Sequence, residues 1–274
     1  MYLQVVFFEV YMNTNQSIGF FDSGVGGLSV WREVNHLLPT ESTVYVADSG
    51  FAPYGQRTAE VIRERSHRMT RYLLEQGSKL IVVACNTATT NAIAELRKSY
   101  SVPFIGIEPA IKPAALKTQT GNVGVLATQG TLTSSLFHQT RDLHTQGIQV
   151  IERVGTGLVE AIETGDLQAT ALQDLLEGHL EALLKQDIDV LVLGCTHYPF
   201  LEPLLRKRLP SSVQILDSGE AVARQTAAVL QQHALQKDGN TPAMHQFFST
   251  GKADLMQEFL RGMNRQEVPQ ALRL

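Results

Sequence analysis

The stretch Leu80-Ile81-Val82-Val83-Ala84-Cys85 decides the fold. It is an unbroken apolar run rich in β-branched residues, and it reads as a strand covered on both faces. A near copy, Val190-Leu191-Val192-Leu193-Gly194-Cys195, follows at an offset of 110 residues. At the same offset Arg97-Lys98 meets Lys207-Arg208, and the apolar run around Ile105 meets the one around Ile215. Ile18-Gly19-Phe20-Phe21-Asp22-Ser23 likewise echoes Val123-Gly124-Val125-Leu126-Ala127-Thr128. Two readings stay open: any pair of strand–helix units looks alike, or two similar α/β domains face each other with a cysteine at the same place in each.

Outward from these runs, short apolar segments alternate with longer amphipathic ones. Strands are expected near 17–21, 43–47, 80–84, 103–107, 123–127, 148–154, 190–193 and 213–216. Helices are expected near 27–38, 58–76, 87–100 and 109–117, with Gly77 as a C-cap. That rhythm predicts an α/β fold of βαβ units with mainly parallel sheets. Ligands of such sheets bind beyond the carboxyl ends of the strands, where both cysteines fall.

Composition narrows the function classes. The chain has 274 residues, long enough for two domains, with 43% hydrophobic and 18% charged residues, as in an ordinary globular protein. The net charge of −4 gives no electrostatic reason to expect nucleic acid. Two cysteines exclude a disulfide scaffold, and no apolar run reaches the ~18 residues of a membrane span. The first segment, MYLQVVFFEV, lacks Lys and Arg and carries Glu9, which makes it a poor signal peptide. Residues 1–16 are therefore expected to be an extension of a cytoplasmic protein.

Each cysteine ends an apolar strand and is expected to open a helix, in Cys85-Asn86-Thr87 and Cys195-Thr196-His197. A helix N-terminus lowers a thiol's pKa. A lone free cysteine is more often a small buried hydrophobe, and it is the pairing of two equivalent turns that favours chemistry. Cys195-x-His197 offers two metal ligands but no further Cys–His cluster completes a site, so no metal is expected. The glycine-rich Asp22-Ser23-Gly24-Val25-Gly26-Gly27 matches neither GxGxxG nor the Walker pattern. It is read as a backbone nest for a carboxylate, with Asp22 turned into the cleft; a tight turn with Asp22 as N-cap is the alternative. Asp48-Ser49 leads into Phe51-Ala52-Pro53-Tyr54-Gly55, a loop expected to lie over the cleft. Glu160, on a short amphipathic turn, reads locally as a solvated helix face. His36, His67, His138, His144, His179, His233 and His245 read as surface residues.

Taken together these pieces resemble the cofactor-independent aspartate/glutamate racemases. The resemblance rests on Phe21-Asp22-Ser23-Gly24-Val25-Gly26-Gly27-Leu28, Pro53-Tyr54-Gly55, Ala84-Cys85-Asn86-Thr87-Ala88, Ala127-Thr128 with Gly130-Thr131, Leu158-Val159-Glu160 and Gly194-Cys195-Thr196-His197-Tyr198-Pro199. It covers the chain from about Ser17 to past Gly219. It implies two pseudosymmetric doubly wound domains around a cleft, one of residues 17–107 plus 218–274 and one of 108–217, the first rejoined by C-terminal helices. It implies Cys85 and Cys195 as proton donor–acceptors, with Asp22, His197 and Glu160 as supporting groups. Substrate contacts are implied at Asp22, Ser23, Tyr54, Gly55, Asn86, Thr87, Thr128, Thr131, Thr196 and His197. Within the family, His197 favours glutamate over aspartate. The resemblance further implies racemisation of L- and D-glutamate without a cofactor, for peptidoglycan synthesis, by a homodimer. Some relatives with similar extensions bind a muramyl-nucleotide activator.

The residues agree with that chemistry, since inverting a stereocentre through a planar carbanion needs a base on one face and an acid on the other. No lysine sits in a motif suited to a pyridoxal Schiff base. An amino-acid-binding protein would share the cleft without needing paired thiols, and a thiol redox protein would need the cysteines to bridge.

Overall fold

A computed structural model describes residues 15–237 and 241–274; most of the expected extension, residues 1–14, lies outside them. The strands are β1 (Ser17–Asp22), β2 (Thr43–Ala47), β3 (Ser78–Val83), β4 (Phe104–Gly106), β5 (Asn122–Ala127), β6 (Gln149–Val154), β7 (Val190–Gly194), β8 (Gln214–Leu216), β9 (His245–Ser249) and β10 (Gln270–Ala271). They form two sheets, ordered β10-β9-β2-β1-β3-β4 and β6-β5-β7-β8, with every pairing parallel.

The internal echo has a topological counterpart. The order β2-β1-β3-β4 is repeated as β6-β5-β7-β8, so β1 corresponds to β5 and β3 to β7. In each sheet the chain leaves the first strand for one side and returns on the other, which creates a switch point at the strands' carboxyl ends. Asp22 and Cys85 flank the switch point of the first sheet, and Thr128 and Cys195 flank that of the second.

Why the apolar runs are unbroken is visible in the packing. Leu80 and Val82 of β3 pack into one core cluster while Ile81 and Val83 pack into another, as the two-residue strand period requires. Leu191 and Leu193 of β7 join Leu80 and Val82 in a core shared by both sheets, and Val190 and Val192 enter a third cluster. Burying each such aliphatic side chain stabilises the fold by about 1.5–3 kcal/mol.

Helix Ala59–Glu75 is capped by Thr58, whose hydroxyl accepts from Val61 N, and Gly77 follows it with φ of +75°, the conformation its role as terminator requires. Three expectations about the fold needed revision. The C-terminal return adds strands as well as helix Gly219–Gln232: β9 pairs with β2, and β10 with β9. Cys195 opens no full helix; Thr196 and His197 lead into a single 3₁₀ turn, Tyr198–Leu201. Of the histidines expected at the surface, His179 is buried and bonded to Arg153 and to the Thr156 carbonyl, and His245 packs edge-on against Trp31 from β9. Among the described residues no helix is long and apolar enough to cross a membrane.

Candidate active site

Cys85 and Cys195 line one cavity between the two sheets, together with Ser23, Tyr54, Asn86 and Thr196. Gly55, Thr87, Thr128 and His197 complete the polar part of its wall. The free space inside is about 10 Å³, room for roughly one water molecule. Asn86 is buried in this wall with both amide atoms unpartnered, so its donor and acceptor are available to a ligand's polar groups. Thr131 is fully buried behind the cavity, bonded to Thr128 at 3.0 Å and to Thr87 at 3.4 Å.

The surroundings of the two thiols differ. Cys85 is the N-cap of helix Asn86–Ser99, and its Sγ accepts from Ala88 N at 3.4 Å. It also donates to Ser23 Oγ at 3.7 Å, and the Asp22 carboxyl stands beside it. The expectation of a lowered pKa fails for this residue. Burial, and then the negative charge of Asp22, push the Cys85 thiol well above its ordinary range, outweighing the helix N–H. Cys85 is held as S–H.

Cys195 instead faces a cation. Its Sγ is 3.7 Å from Nδ1 of His197, whose Nε2 is 2.7 Å from Glu163 Oε1. Burial alone would lower the imidazole's pKa, but the bonds to Cys195 and Glu163 win, and His197 is raised well above its ordinary value. Glu163 shifts the opposite way: burial raises it, while the bond and charge of His197 and the Val25 N–H bring it below the usual glutamate value. The pair is therefore imidazolium and carboxylate, next to the second thiol.

The glycine-rich turn does hold carboxylates, but they belong to the protein. Ser23 N and Gly27 N donate to Asp22 at 2.6 and 2.5 Å, and Val25 N donates to Glu163 at 2.9 Å. Asp22 is fully buried behind Cys85 and Thr196 rather than turned into the cavity, and burial raises its pKa against these bonds and the His197 charge. Glycine is needed for close approach here: a Cβ on Gly26 would lie 2.2 Å from His197 Nδ1, and one on Gly24 would lie 2.0 Å from Glu163 Oε1.

Glu160, expected to support the thiols, is exposed, bonds Gln56 and lines a neighbouring depression rather than the cavity of the two cysteines. The carboxylate that reaches His197 is Glu163, which the sequence reading missed. A signal was present: Glu163 follows Val159 by four residues and so shares the buried face of helix Leu158–Ile162, whereas Glu160 points away. Among the described residues no group of three metal-ligating side chains converges.

A cleft between two repeated parallel sheets, with a thiol on each wall, is the setting in which the chain's family is to be read. The chain belongs to the Asp/Glu/hydantoin racemase family, whose model matches residues 18–226. It is 52% identical over 251 residues to the glutamate racemase of Ectopseudomonas mendocina, covering 91% of this chain and 95% of that one. A glutamate racemase isoform from Bacillus anthracis superposes with a TM-score of 0.85 at 34% identity, covering 96% of this chain and 99% of that one. The Escherichia coli glutamate racemase, solved with L-glutamate and the activator UDP-MurNAc-Ala, superposes at 0.84 and 34% identity, over 94% and 98% of the two chains.

Proposed function

We propose that the chain interconverts L- and D-glutamate by direct proton transfer between the substrate's α-carbon and two thiols. The observation that carries this reading is the convergence of Cys85 and Cys195 on one small cavity, one beside a carboxylate and one beside an imidazolium. From L-glutamate, Cys195 as thiolate takes the α-proton and the electron pair delocalises onto the α-carboxylate. Cys85 then delivers its S–H proton to the opposite face, which gives D-glutamate and leaves Cys85 as thiolate and Cys195 as thiol. The reverse reaction starts from that second state. Asp22, His197 and Glu163 support the thiols, and the unpartnered amide of Asn86, with Ser23, Thr87, Thr128 and Thr196, binds the substrate and its developing charge. Tyr54 and Gly55 line the same cavity.

The two walls belong to units of residues 17–107 with 218–274 and of residues 108–217. The E. coli relative's ligands support glutamate as substrate and a muramyl nucleotide as activator. Under the same reading the enzyme is a cytoplasmic homodimer whose D-glutamate feeds peptidoglycan synthesis. The decisive measurement is optical rotation: each enantiomer of glutamate should lose its rotation with the pure protein, with no cofactor or metal added. Activity abolished by EDTA and restored by zinc would overturn the two-thiol reading, and equal kcat/KM for L-aspartate would overturn the choice of glutamate.

A further inference from the structure

Away from the thiols, the loop that follows β2 is fastened by a buried ionic knot that the proton transfer does not use. The Asp48 carboxylate, fully buried, accepts four hydrogen bonds. Arg65 of helix Ala59–Glu75 grips it with Nε at 2.8 Å and a terminal nitrogen at 2.7 Å, the Tyr54 hydroxyl donates at 2.6 Å, and the Thr250 hydroxyl donates at 2.7 Å. Asp48 N also donates to the Asp22 carbonyl at 2.8 Å, at the end of β1. Arg65 is itself only 3% exposed, and its guanidinium lies 3.8 Å from the centre of the Phe51 ring. The Thr250 hydroxyl receives Gly50 N at 3.1 Å. Both ends of the loop, a helix and the residue after β9 thus meet at one carboxylate, and Tyr54 is part of the catalytic cavity's wall.

We infer that Arg65, acting through Asp48, is a positioning residue that sets the place of the Tyr54-Gly55 wall and thereby the affinity for both enantiomers. This inference rests on the racemase reading above. Arg65 touches neither thiol and no group that bears the reacting proton, so its effect falls on binding. A bidentate guanidinium fixes both distance and angle, which the point charge of a lysine does not. Thr250 extends the same control to the C-terminal segment.

The test compares wild type with Arg65→Lys and Thr250→Val. Arg65→Lys should raise KM for L- and D-glutamate alike, by roughly tenfold for one weakened charge-assisted contact, while kcat falls less than about threefold. Thr250→Val, which keeps the shape but loses both the bond to the Asp48 carboxylate and the acceptor for Gly50 N, should raise KM by about threefold, less than Arg65→Lys because the bidentate guanidinium still holds Asp48. Amide hydrogen exchange across residues 49–57 should speed up in both variants while helix Asn86–Ser99 keeps its protection, and it reads the loop without any turnover. Unchanged KM with a loss confined to kcat or to the yield of folded protein overturns the inference, as does unchanged exchange in the loop. Absence of turnover in wild type sinks the glutamate reading instead, and the exchange measurement still decides the positioning role.

Discussion

Cys85 and Cys195 close corresponding strands in two sheets of matching order, yet their neighbours carry opposite charge. On the first wall burial, and then the buried carboxylate of Asp22, keep Cys85 protonated. On the second wall the imidazolium of His197, braced by Glu163, sets a positive charge beside Cys195. The repeat supplies geometry, and the residues added to each copy break its electrostatic symmetry. That difference fits the division of labour proposed above for one direction of turnover: a donor on one face and an acceptor on the other. The enantiomers have equal free energy, so kcat/KM must be equal in the two directions whatever the protein does. The asymmetry of the walls is confined to kcat and KM taken separately.

The largest effect should come from removing either thiol. Cys85→Ala and Cys195→Ala should each lower kcat by about 10²–10⁴, the range for loss of a general base, and the double variant should lose little more. In D₂O the product should acquire deuterium on its first turnover while recovered substrate stays protiated. A single variant that keeps more than about a tenth of wild-type kcat breaks the pairing.

Next in size is the brace on the second wall. Glu163→Gln removes one of the groups that raise His197, so kcat should fall roughly tenfold, as for a lost charged hydrogen bond. The alkaline limb of kcat/KM should move to lower pH, by the same amount for both enantiomers. A variant with a wild-type pH profile would show that Glu163 does not act through His197.

A smaller effect appears in stability. His197 is held above its unfolded pKa of about 6.5, so the folded chain binds that proton more tightly. Its contribution is complete below that value and is lost as pH rises through the raised one. Denaturant midpoints should therefore decline from about pH 6.5 upward, and decline less in Glu163→Gln. Parallel curves for the two proteins would remove the imidazolium from the account.

The smallest effect should come from Glu160→Gln. An exposed side chain bonded only to Gln56 should change kcat/KM by less than about twofold. A loss as large as that of Glu163→Gln would reverse the assignment of the two glutamates.

Much of this was legible in the chain. The runs 80–85 and 190–195 are buried on both faces and so carry no polar interruption, which is why they could be read as parallel strands. The motifs at Asp22, Cys85 and Cys195 lie at strand ends, where short-range sequence dictates position. β9 was not legible: its sequence, His-Gln-Phe-Phe-Ser, has no clean alternation, because its place beside β2 is decided by a partner some 200 residues earlier. The thiol of Cys85 was misjudged because helix position is local, whereas its burial and the nearness of Asp22 are tertiary. Glu163 lies just past the Leu158-Val159-Glu160 motif, and its meeting with His197 depends on how the chain after β6 packs against the turn after β7, which local sequence does not carry.

The tightness of the catalytic cavity has a consequence for tempo. A chamber with room for about one water admits an amino acid only when its walls part, and every cycle needs one parting to load and one to unload. The same partings expose the two thiols to any small alkylating reagent. Every labelling event at Cys85 or Cys195 in substrate-free protein needs at least one such opening and a thiolate to react, so the labelling rate sets a floor on how often the walls part.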